Sequence, residues 1–121
     1  MQDCKVNILG TEYDIKFVDY KSEPCFEKRS IDGYCDSYTK RIRVVNMDTY
    51  PGWEDEPEDT KQVSMKETLK HECVHAFLAE SGLRDSSAQY PNGWSTFEEM
   101  VDWVACQSGK MFRVFQELNI L

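Results

Sequence analysis

Residues 69–82 read LKHECVHAFLAESG. Leu69, Cys73, Ala76 and Phe77 recur there at intervals of three and four, the period of a helix with one apolar face, and Gly82 is a natural left-handed stop. Upstream the period is two. Val6 and Ile8 share one side of residues 5–9, while Tyr13, Ile15 and Phe17 alternate with Asp14, Lys16 and Val18. Gly10-Thr11 between them predicts a tight hairpin whose first turn residue has positive φ. Gly33–Asp36 and Arg41–Val45 read as a second strand pair joined through residues 37–40. In it Ile42 and Val44 face the core, and Arg41 and Arg43 face water. Residues 19–32, with Pro24, and 47–60, with Pro51, Gly52 and Pro57, read as loops. The helical period begins near Thr60.

Beyond Gly82 a second loop is expected over 83–94. Ser95 or Thr96 is then expected to cap a last helix, with the stripe Phe97, Val101, Val104, Ala105, Phe112, Phe115 and Leu118. Gly109 weakens that helix without ending it. The order predicts an α+β fold, a small antiparallel or mixed sheet packed on two long C-terminal helices, the first bearing the two histidines. A chain of 121 residues reads as one domain spanning 1–121, long enough to bury a core.

Composition narrows the function classes. The net charge is −8, which argues against nucleic acid as a partner, because phosphate contacts need a concentrated basic surface. Five of the negative charges fall in one block, Glu54, Asp55, Glu56, Glu58 and Asp59, read as a solvated loop. No apolar run reaches the ~20 residues that span a bilayer, so no membrane partner is expected. The first ten residues lack the features of a secretory signal. Five cysteines without CxxC spacing fit reduced thiols better than a disulfide framework. Together these features predict a cytoplasmic protein.

His71 and His75 are the only histidines. Four residues apart on a helix, they present two imidazoles on one face to a single cation. A third protein ligand would leave a fourth tetrahedral position for water, as in catalytic zinc sites. Glu72, rotated by about 100° from His71, falls outside the ligand set yet within reach of that water as a general base. Cys73 turns away from this face and reads as a small core residue. For the third ligand the last helix offers Glu98, with Asp102 one turn on to accept an imidazole N–H, and Glu99, with Trp103 in that place. Ser95-x-x-Glu98 and Thr96-x-x-Glu99 are also both capping boxes, so either glutamate has a structural alternative.

HECVH followed 22 residues later by E-x-x-x-D resembles the gluzincin pattern of thermolysin-type peptidases. More fully, GYCDSYTKRIRV, HECVHAFL and EEMVDWVA resemble the ImmA/IrrE-like small zinc peptidases, which include phage and mobile-element proteins. The resemblance covers about residues 33–106. It implies a minimal zincin-like fold, with a short sheet whose edge strand lies beside the HExxH helix. It implies zinc held by His71, His75 and Glu98, Glu72 as catalytic base, and Asp102 orienting an imidazole. The helix that precedes the sheet in that group, and its apolar-proline stretch after the third ligand, have no counterpart here. There is also no third histidine to stabilise an oxyanion, leaving Tyr34, Tyr38, Tyr90 or Arg84 as substitutes. The expected activity is a zinc metalloendopeptidase, phage or prophage encoded, acting on a protein or peptide strand added to the sheet near Arg41–Val45. Two other readings are a zinc-bearing interaction or antirepressor module with weak catalysis, and an acidic inhibitor using residues 54–59.

Overall fold

The computed structural model describes residues 1–84 and 93–121. It has an α+β architecture: a mixed four-stranded sheet with helices. Strand β1 (Cys4–Ile8) pairs antiparallel with β2 (Thr11–Val18). The turn between them is Leu9-Gly10, with φ of 49° and 93°. Both turn residues are left-handed, as the sheet's own twist favours in a two-residue hairpin. Thr11 therefore opens β2 rather than completing the turn.

Residues 19–32 are more ordered than a loop. A 3-10 turn at Tyr20–Ser22 leads into α1 (Pro24–Arg29). Pro24 suits the first turn of a helix, where its missing N–H costs nothing, and Phe26 is wholly buried. Next come β3 (Gly33–Asp36) and β4 (Arg41–Val45), antiparallel to each other. β4 also pairs with β2 in parallel, Ile15 opposite Ile42 and Phe17 opposite Val44, so the sheet order is β1-β2-β4-β3. Consequently β4 is an interior strand and has no free edge to offer. The edge strands are β1 and β3. Arg43 is buried, contrary to its place in the alternation. Its guanidinium donates to the Asp14 and Ile42 carbonyls and pairs with the Asp14 carboxylate, each at 2.9 Å. A buried cation is tolerable when it is paired and hydrogen-bonded in this way.

Residues 47–60 likewise hold structure: a 3-10 turn at Met47–Thr49, then α2 (Glu58–Leu78), which starts inside the acidic block. Glu58 and Asp59 lie in its first turn, where negative charge opposes the helix dipole favourably. A π-type turn over Ala79–Leu83 ends the helix, with Gly82 at φ 83°. Residues 85–92 lie outside the described residues, and with them most of the expected 83–94 loop.

Neither Ser95 nor Thr96 caps the last helix. Both sit in a 3-10 turn (Trp94–Thr96), and α3 (Glu98–Glu117) has Phe97 as its N-cap, with no side-chain cap bond. Val101 and Ala105 are buried, but every residue from Gly109 onward is exposed, including Phe112 and Leu118. Gly109 lies within α3 without ending it. The helix instead closes after Leu118, where Asn119 takes φ 54°. There the amides of Ile120 and Asn119 bond the carbonyls of Phe115 and Gln116, a Schellman ending. The main core joins Ile8, Tyr13, Ile15, Ile42 and Val44 of the sheet to Met65 and Ala76 of α2, with Leu69 and Cys73 packed on it. No helix among the described residues is long and apolar enough to cross a membrane.

Candidate metal centre

α2 carries His71, Glu72 and His75, and their donor atoms lie within 4.8 Å of one another. The helical spacing predicted from sequence places the two imidazoles side by side, Nε2 to Nε2 at 3.0 Å. From α3, Glu98 Oε2 comes to 2.9 Å from His71 Nε2 and 3.4 Å from His75 Nε2. Glu99, the other candidate, is exposed and makes no ion pair or side-chain hydrogen bond among the described residues. Glu98 sits at the start of α3 and serves no cap.

The outer nitrogens of both rings are engaged. His71 Nδ1 is 2.7 Å from Asp102 Oδ1, and His75 Nδ1 bonds the backbone carbonyl of Ser95. A carbonyl only accepts, so Nδ1 of His75 carries the proton, and in the neutral ring its Nε2 presents a lone pair. The Asp102 carboxylate fixes His71 in the same sense. Two nitrogen lone pairs and a carboxylate oxygen therefore converge on one point. A shared proton relieves one of the three contacts, whereas a small dication relieves all three. Around zinc, with bonds of about 2.0–2.1 Å in a tetrahedral arrangement, ligand atoms stand roughly 3.3 Å apart. The three observed separations lie close to that value. The donor set thus fits zinc.

Glu72 lies deeper, at 7% exposure, and makes no hydrogen bond among the described residues. Burial pushes its carboxyl up to about 7, against the opposing influence of His71 and with a further upward push from the charge of Glu98. Room for it comes from β3. A methyl built on Gly33 would stand 2.5 Å from Thr68 Cγ2, 3.1 Å from the Arg43 carbonyl and 3.4 Å from Glu72 Cγ. Any side chain at position 33 would press the strand away from α2.

The chain matches no family model, no curated protein sequence and no solved structure.

The three groups open into a cleft of about 1400 Å³ between β3, α2 and the start of α3. Tyr34, Tyr38 and Arg84 line it, and the Arg84 guanidinium stacks on the Tyr38 ring at 4.2 Å. Tyr90 is outside the described residues. Cys35 also lines the cleft, but burial raises its thiol to about 12. It is thus protonated at neutral pH and unsuited as a nucleophile. All five cysteines are free. Two contributors were invisible in the sequence. Ser95 acts through its backbone carbonyl, which no side-chain pattern reports. Gly33 contributes by having no side chain, and only its place at the head of a predicted strand hinted at a close approach.

Proposed function

We propose that the cleft is the active site of a zinc-dependent metalloendopeptidase of minimal zincin-like build, acting on protein or peptide substrates in the cytoplasm of a phage- or prophage-bearing cell. The observation that carries this reading is the convergence of the His71 and His75 lone pairs with Glu98, beside a buried carboxyl that has no hydrogen-bond partner among the described residues. His71, His75 and Glu98 would hold the ion. Bound zinc supplies a Lewis acid that polarises a carbonyl and acidifies water in the cleft. Glu72 takes the proton from the attacking water onto its carboxylate and returns it to the departing amine nitrogen. Asp102 and the Ser95 carbonyl hold the imidazoles by their Nδ1 protons, so neither ring has to reorient during turnover. The free edge of β3 offers an extended substrate backbone hydrogen bonds along the cleft wall.

Metal analysis of the purified protein should give about one zinc per chain. Glu72→Gln should keep that zinc and lower peptide hydrolysis by about 10²–10⁴-fold. Equal turnover by the variant removes Glu72 as the base, and a zinc-free protein that gains none on dialysis removes the metal.

A further inference from the structure

The cleft carries more negative charge than the metal reading requires. Asp32, Asp36, Glu67, Glu72, Glu98 and Asp102 line it, and Arg29 and Arg84 are its only basic side chains among the described residues. Crediting a held dication with two charges still leaves the lining negative. Most of these carboxylates are engaged. Glu98 and Asp102 face the imidazoles. Asp36 accepts from Thr39 and from the Tyr38 amide, and Asp32 accepts from Thr68 Oγ1 at 3.0 Å. Glu72 is buried. Glu67 differs. It is exposed and makes no hydrogen bond or ion pair among the described residues. It also stands one turn before His71, on the same face of α2. The neighbouring lysines of that helix, Lys66 and Lys70, line a separate apolar groove with Leu69 and Phe77. The helix thus sends its acid to the cleft and its bases elsewhere.

We propose that the cleft selects peptides carrying lysine or arginine about two residues from the scissile bond, and that Glu67 is the specificity-determining residue. The inference rests on the peptidase reading above. Four residues of helix advance about 6 Å, close to the span of two residues in an extended strand at about 3.3 Å each. A substrate side chain that far from the metal meets Glu67. An exposed ion pair alone discriminates weakly, but a cleft lined with one sign of charge adds to it by raising the local concentration of cationic ligand.

The test uses three peptides of one sequence, with lysine, alanine or glutamate two residues from a central bond. Their binding to zinc-loaded Glu72→Gln protein is followed by fluorescence anisotropy, and their turnover is measured with the zinc-loaded parent. The lysine peptide should bind about fivefold tighter than the alanine peptide, with the margin shrinking as salt rises. Glu67→Gln should flatten the preference, and Glu67→Lys should turn it toward the glutamate peptide. Matched melting curves would show that both variants are folded. Equal binding of the three peptides, no binding of any, or an unchanged preference in Glu67→Lys overturns the inference. Lysine selection without hydrolysis by the parent refutes the peptidase reading and leaves the selection standing. Hydrolysis indifferent to charge refutes the selection alone.

Discussion

His75 presents its inner nitrogen because its Nδ1–H donates to a backbone carbonyl, that of Ser95, on the other side of the ring. His71 is held by a side chain, Asp102. The two imidazoles should therefore respond differently to mutation. Asp102→Asn should weaken zinc binding by about 10–100-fold. Glu98→Ala, which removes a converging oxygen, should weaken it further, and Glu99→Ala should leave it unchanged. Zinc titration of the three variants decides the order, and metal loss confined to Glu99→Ala would contradict the geometry. The histidine pair and its glutamate were legible because helical spacing is a property of sequence. The choice between Glu98 and Glu99 was not, since both stood in capping boxes. The structure distinguishes them by distance: Ser95 and Thr96 fold into a 3-10 turn that caps nothing, and it is Glu98 that approaches both imidazoles.

Glu80 is a second residue whose role no motif announced. Its carboxylate accepts from Lys40 Nζ at 2.5 Å, Tyr13 Oη at 2.7 Å and Thr11 Oγ1 at 2.8 Å. Those bonds, that of Lys40 first, hold its pKa down at about 2. A carboxyl lowered on folding contributes stability that is present above its ordinary value and is lost as pH falls towards the folded one. The contribution should thus fade between about pH 4.5 and 2. Glu80→Gln should lower stability at pH 7 by roughly 2 kcal/mol, since it removes a charged acceptor shared by three donors. It should also flatten the acid limb of a melting-temperature curve over that window. A parallel shift at every pH would assign the loss to packing.

At the scale of elements, the close approach of β3 to α2 is the most demanding contact. Gly33→Ala places a methyl against Thr68, whose β-branched side chain has little freedom and whose hydroxyl is bonded to Asp32. The expected cost is about 1–3 kcal/mol. Gly109→Ala is the contrasting case. A methyl there meets nothing within 4 Å, and the helix should gain up to about 1 kcal/mol. Denaturant melts of the two variants should move in opposite directions. Strands β3 and β4 were legible to the residue from alternation and turn composition. Helix α1 was hidden, because six residues are too few to show a period and Pro24 reads equally well as a loop breaker.

At the scale of the molecule, the parallel pairing of β2 with β4 was the least legible feature. Alternation shows which side of a strand is apolar but not which strand lies beside it, so the sequence points to an edge near Arg41–Val45, whereas that side of the sheet ends at β3. Arg43 shows the same limit. As an interior strand, β4 is covered on both sides, and its arginine survives there only because Asp14 crosses from β2 to meet it.

Helix α3 meets the core at Val101 and Ala105 and is exposed at every residue from Gly109 onward. Its two halves consequently differ in how they open. The amides around Val101 and Ala105 are protected by packing and should exchange deuterium only in openings that also disturb α2. Those beyond Gly109 rely on helix hydrogen bonds and the Schellman closure alone, and a helical segment of that length is marginal in water. Exchange protection should therefore fall sharply across Gly109 within one continuous helix. Uniform protection along α3 would mean that something other than this chain covers its outer half.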